Sequence, residues 1–180
     1  MDISIQLLPG AKATLLRDPV ERTVSHYLHY IRDPSLPYHA AIKNKSLQQV
    51  CKDAHLSSFI KNYQTRYLST LVTDPVQFEH TIELRYQIFN ENDIFDAAVN
   101  AIKEFQLIGL QEKFEDFLTE LADAWNLASP VLRYRQNIAT NREHAKLDAD
   151  IRKLIFSLTE MDYEIYNLVG KKAVEQGSGR

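Results

Sequence analysis

Apolar and polar positions along this chain fall mainly into helical periods, interrupted by two short apolar runs. The first run, KATLL at residues 12–16, follows a turn closed by Gly10 and predicts a short buried strand. A helix should start directly after it. Asp18 is a good N-cap, Pro19 suits the first helical position, and Glu21 completes a capping-box pattern. Val20, Val24, Tyr27, Leu28 and Ile31 then make one apolar stripe. Asp33-Pro34 ends it, because a residue before proline avoids helical geometry.

Ser46 predicts the cap of a short helix, SLQQVCKDA. Further helices are expected over 57–69 and 75–89, the second with Pro75 at its first position. Asp93 is placed to cap DIFDAAVNAIKEF, with Ile94, Ala97, Ala98, Ala101, Ile102 and Phe105 on one side. The second apolar run, FQLIGL at 105–110, predicts a buried strand parallel to the first, since helices lie between them. An amphipathic helix follows in KFEDFLTELADAWN, where Phe114, Phe117, Leu118, Leu121 and Trp125 share a face. Residues 127–146 read as a polar loop, and one long helix is expected from Leu147 to about Val169. The whole is a helix-rich α/β pattern in one domain, residues 1–170, with a disordered tail over 171–180.

Composition narrows this little. The 180 residues carry a formal net charge of −3, so no global field favours nucleic acid or an anionic membrane. No apolar run approaches the roughly 18–20 residues needed to span a bilayer, and the N-terminus lacks the pattern of a signal peptide. Cys51 is the single cysteine, so no internal disulfide can form. Together these point to a bacterial cytoplasmic protein. Two strands make a marginal sheet by themselves, so helices must cover it or further strands must complete it.

The candidate chemistry lies where the first strand hands over to the first helix. Arg17 stands at the strand's carboxyl end, where open α/β sheets bind ligands, beside the positive end of a helix. Ser25 lies roughly 120° round from the centre of the apolar stripe, near Arg22 and His29. A guanidinium can hold two phosphate oxygens in a fork and a hydroxyl can donate to a third. The plainer alternative pairs Arg17 with a carboxylate and leaves Ser25 facing solvent. Spacing by itself favours that alternative, because motifs this short recur by chance.

RDPVERTVSHY, Arg17 to Tyr27, resembles the 3′-phosphate-binding motif of carbohydrate sulfotransferases that use 3′-phosphoadenosine-5′-phosphosulfate, above all the heparan sulfate 2-O- and 6-O-sulfotransferase type and its bacterial relatives. YQTRYLS (Tyr63 to Ser69) is similar to a Gln-Thr-Arg segment of the bacterial members. AIKEFQLIGLQEKFEDFLTEL (Ala101 to Leu121) is similar to a strand-turn-helix with a Gly-Leu-Thr-Glu sequence, Gln111 replacing the threonine. LTEMDYEIYNLV (Leu158 to Val169) resembles a last helix with a Leu-Asp-x-x-Leu-Tyr pattern, Met161 and Ile165 standing for leucines. The likeness spans nearly the whole chain from Leu7 onward.

It implies a P-loop-like sulfotransferase fold, a nucleotide sulfate donor and a carbohydrate acceptor. Arg17 and Ser25 would hold the 3′-phosphate, and Asn141 and Arg142, in the basic loop RYRQNIATNRE, would help enclose the adenosine. The plain reading of that stretch is a solvated loop. Arg66 would reach the nucleotide or a sugar carboxylate, or else make a surface ion pair. One family element is missing. The loop that grips the 5′-phosphosulfate, roughly Pro-Lys-x-Gly/Ala-Thr-Ser, occurs nowhere in the sequence, and the family's catalytic base normally comes from the same region. The expectation is therefore an N-terminally truncated sulfotransferase domain, catalytic residues unassigned, completed by a missing segment or a second polypeptide. The alternatives are a non-catalytic nucleotide-binding or interaction module, or an unrelated helical scaffold. His26 and His29 lack the further ligands of a metal site and read as ordinary helix residues, and Cys51 carries no sign of activation.

Overall fold

A computed structural model describes residues 4–5, 12–70, 90–126 and 147–177. The first strand pairing involves β1 (Ser4–Ile5) and β2 (Ala13–Leu16), which run antiparallel. β2 lies at the centre of the sheet, with β3 (Leu107–Leu110) parallel on its other side. The parallel pair matches the sequence expectation; the two-residue β1 is too short to leave a periodic signal. In register, Leu16 faces Leu110, so both parallel strands end at the same level. Arg17 and Gln111 therefore leave the sheet side by side.

The described helices are α1 (Pro19–Arg32), α2 (His39–Ile42), α3 (Leu47–Lys52), α4 (Tyr63–Thr70), α5 (Glu91–Glu104), α6 (Phe114–Ala124), α7 (Ala149–Leu158) and α8 (Glu160–Gly177). Alternation along the strands sorts the packing. Leu16, Ile108 and Leu110 join Leu68, Ala98, Ala101, Ile102, Ile165 and Val169, so α4, α5 and α8 cover one sheet face. Ala13, Leu15 and Leu107 join Phe117 and Leu121 of α6 on the other. A separate core gathers Val20, Val24 and Tyr30 of α1 with Ile42, Val50, Phe59, Ile60 and Ile155. The buried sheet thus gains its stability from cover on both faces, as a short parallel pair requires.

Several boundaries differ from the sequence reading. The helix expected over 57–69 is a 3₁₀ turn (Leu56–Phe59) followed by α4, separated at Asn62, whose φ of 46° lies in the left-handed region. The long final helix is two helices. Thr159, 1% exposed, ends α7 by turning its hydroxyl onto the Ile155 carbonyl at 2.8 Å. Asn62 braces the break: its N–H donates to the Leu158 carbonyl, and its Oδ1 accepts from the Met161 N–H. α8 then continues to Gly177, into the stretch expected as a tail. α5 is capped by Asn90, not Asp93: Asn90 Oδ1 accepts the Asp93 N–H at 2.9 Å. Both residues are good caps, and the earlier one adds a turn of helix. The expected helix at 75–89 and the polar loop at 127–146 lie outside the described residues.

Candidate functional site

Asp18 caps α1 as its sequence indicates, with Oδ1 accepting the N–H groups of Val20 and Glu21 at 3.0 Å each. The reciprocal half of the capping box does not form. The Asp18 N–H instead donates to Glu112 Oε1 at 2.9 Å, across the gap between the two parallel strand ends. Glu21 turns to Arg17, Nη2 to Oε2 at 3.8 Å, where both side chains keep partial exposure (24% and 33%). This pair is long and wet, the kind worth at most about 1 kcal/mol. Ser25 is half-buried on α1, one turn beyond Glu21. Glu21 and Ser25 are spaced by four on one side of α1, and Arg17, which precedes the helix, reaches Glu21 from outside it.

The Arg17 main chain is held from both sides. β2 ends at Leu16, so the Arg17 N–H and C=O have left the ladder and need partners elsewhere. One side chain supplies both: Gln64 Oε1 accepts from the Arg17 N–H at 2.9 Å, and Gln64 Nε2 donates to the Arg17 carbonyl at 2.9 Å. Gln64 lies in the first turn of α4, and Asp162 of α8 caps that helix from a distance. Asp162 accepts the Gln64 N–H at 3.2 Å and both the N–H and hydroxyl of Thr65 at 2.7 Å. Burial pushes the Asp162 carboxyl up, and the Thr65 donors and the Arg22 charge offset this only in part. On the other side, Glu112 Oε2 accepts from the Tyr166 hydroxyl at 3.3 Å. Burial first, then Glu112, pushes that phenol up to about 12.

Four separate segments therefore meet at one strand-to-helix turn: Arg17-Asp18, Gln64-Thr65, Glu112, and Asp162 with Tyr166. The sequence offered one clue to this meeting. Asp162 falls on the apolar row of the last helices, between Leu158 and Ile165, and a carboxylate on such a row must find donors. Beside the turn, residues Gln111 to Asp116 line a cavity of about 370 Å³.

Not every expected site residue joins this group. Arg66 is 2% exposed, and its Nη2 donates to the Ser58 carbonyl at 2.7 Å. It is a buried group bracing the 3₁₀ turn, instead of the accessible cation that either expected role needed. The polar side of α1 is also more enclosed than its pattern suggested. Arg22 is 7% exposed, stacks 3.5 Å from the centre of the Tyr63 ring, and bonds His26 Nδ1 at 2.8 Å. The His26 ring sits edge-on to Tyr30, Phe59 and Tyr63. Burial, aided by Arg22, holds this imidazole well below its usual range, so it is neutral at pH 7. Asn141 and Arg142 lie outside the described residues.

Cys51 is buried in the helical core, and burial pushes its thiol up to about 11, which leaves it unreactive at neutral pH. Among the described residues no group of three His, Cys, Asp or Glu side chains could hold a metal ion. None of the described helices is long and apolar enough to cross a membrane. No family model, curated protein or solved structure matches the chain.

Proposed function

We propose that this chain binds the 3′-phosphate of an adenosine 3′,5′-bisphosphate nucleotide and belongs to a sulfotransferase-type protein. In the complete reaction a carbohydrate hydroxyl oxygen bonds to sulfur and the bond from sulfur to the bridging phosphate oxygen breaks. A base takes the hydroxyl proton, and adenosine 3′,5′-bisphosphate leaves. The observation that carries the reading is the convergence on Arg17. The four segments that resemble sulfotransferases are joined there by hydrogen bonds, at the carboxyl end of a parallel strand pair and beside a helix start.

In this reading Arg17 and Ser25 take the phosphate, and Glu21 is the counter-ion that Arg17 leaves. Sulfuryl transfer rests on positioning and on charge stabilisation at the leaving oxygen. The absent phosphosulfate loop would supply the second of these, so this chain contributes nucleotide binding. The second reading is a nucleotide-binding module without turnover. Calorimetric titration with adenosine 3′,5′-bisphosphate tests the binding. Arg17→Ala should weaken it roughly 10- to 100-fold, the scale of a charge-assisted hydrogen bond. Equal affinity in both proteins would reject the assignment. Sulfation of a sugar acceptor by the chain, measured with labelled donor, separates the two readings: turnover excludes the binding-only module.

A further inference from the structure

We propose that Gln64 is a positioning residue for Arg17, and that its amide sets the preference of the site for a 3′-phosphate. The inference rests on the phosphate-binding reading above. Its basis is a main chain held by a buried amide beneath a partly exposed side chain. A primary amide offers an acceptor and a donor in one plane. Gln64 uses both on a single residue, receiving the Arg17 N–H and donating to the Arg17 carbonyl. Its amide thereby extends the β2 ladder by one residue, as a strand would. Gln64 is 1% exposed, so water cannot replace these bonds without opening the core.

Gln64 is itself fixed. Its N–H goes to Asp162, also 1% exposed, which takes two further bonds from Thr65. A chain of buried groups thus runs from α8 through α4 to the Arg17 backbone. The next residue is pinned separately, by Glu112 on the Asp18 N–H. The guanidinium beyond this fixed point touches Glu21 only at 3.8 Å and is partly exposed. A fixed Cα with a reachable cation is what preorganised anion binding needs.

The readout is the ratio of affinities for adenosine 3′,5′-bisphosphate over adenosine 5′-monophosphate, measured by calorimetry on the full chain. Wild type should prefer the bisphosphate. Gln64→Ala should cut that preference at least tenfold, with monophosphate affinity within twofold of wild type. The double variant Arg17→Ala/Gln64→Ala should lose no more than Arg17→Ala does. A residue that merely supports the fold would lower stability and leave the ratio intact. Should Gln64→Ala fail to fold, Gln64→Glu keeps the shape and the acceptor for the Arg17 N–H. It can donate to the Arg17 carbonyl only when protonated. Its preference, divided by the wild-type value at the same pH, should therefore rise between pH 8 and pH 5.5. A folded Gln64→Ala with the wild-type ratio, or a flat Gln64→Glu profile, overturns the positioning role and leaves the phosphate reading standing. Wild type without a preference, or Arg17→Ala that keeps it, removes both.

Discussion

Glu21 is the residue that most directly competes with the proposed ligand. It stands one turn before Ser25 on α1 and holds the Arg17 guanidinium loosely at 3.8 Å. Glu21→Gln should therefore tighten adenosine 3′,5′-bisphosphate binding, by about two- to five-fold given the usual worth of an exposed pair. Weaker binding on calorimetry would mean that Glu21 supports the site. Gly109 decides a different matter, the seating of α6 on the sheet. A Cβ there would stand 2.5 Å from Phe117 Cδ2 and 3.2 Å from Leu15 Cδ2. Gly109→Ala should cost about 1–3 kcal/mol, as overpacking does. The urea midpoint should fall with an unchanged slope; an unmoved midpoint would show that Phe117 simply steps aside.

At the scale of elements, local chemistry was legible and long-range chemistry was not. The Asp18 and Ser46 caps form as the sequence indicates, because their partners lie within three residues, and Gln49 closes a capping box on Ser46. Both parallel strands were readable as apolar runs bounded by helical periods. The break at Thr159 was hidden, since an apolar period runs through it and the residue that braces it, Asn62, lies nearly a hundred residues away. The cap of α4 by Asp162 has the same character. Of the candidate site, Arg17 and Ser25 were visible as a motif, whereas Gln64 and Glu112 acquire their roles only when distant elements meet. Asn62 offers a test at this scale. Asn62→Ala removes its bond to Met161 and places a Cβ-bearing side chain at positive φ; Asn62→Gly removes the bond but relieves the backbone. The alanine variant should be the less stable by about 1 kcal/mol in urea unfolding. Equal losses would show that the left-handed turn carries no cost there.

The whole molecule has a sheet core and a helical core, and α1 packs in the second, where His26 sits edge-on among three aromatic rings. Its imidazole is held below the ordinary value of 6.5, so the unfolded chain binds the proton more readily than the fold does. The stability tied to its neutral form is complete above about pH 6.5. It is lost as pH falls from there through the folded value, at up to about 1.4 kcal/mol per pH unit. His26→Gln, which can still accept from Arg22, should flatten the fall in urea stability between pH 7 and pH 5; an unchanged slope would place the titration elsewhere. Asp162 acts with the opposite sign. Its raised carboxyl adds stability below its unfolded value near 3.8, and that contribution is lost as pH rises through the folded one.

The proposed site shares one phosphate between a guanidinium and a hydroxyl at the start of α1. A crystal of the protein grown with adenosine 3′,5′-bisphosphate tests it most directly. The 3′-phosphate should lie within hydrogen-bond reach of both Arg17 and Ser25, with Arg17 drawn off Glu21 and the Gln64 bonds to its backbone intact. A nucleotide bound elsewhere, with Arg17 still on Glu21, would contradict it.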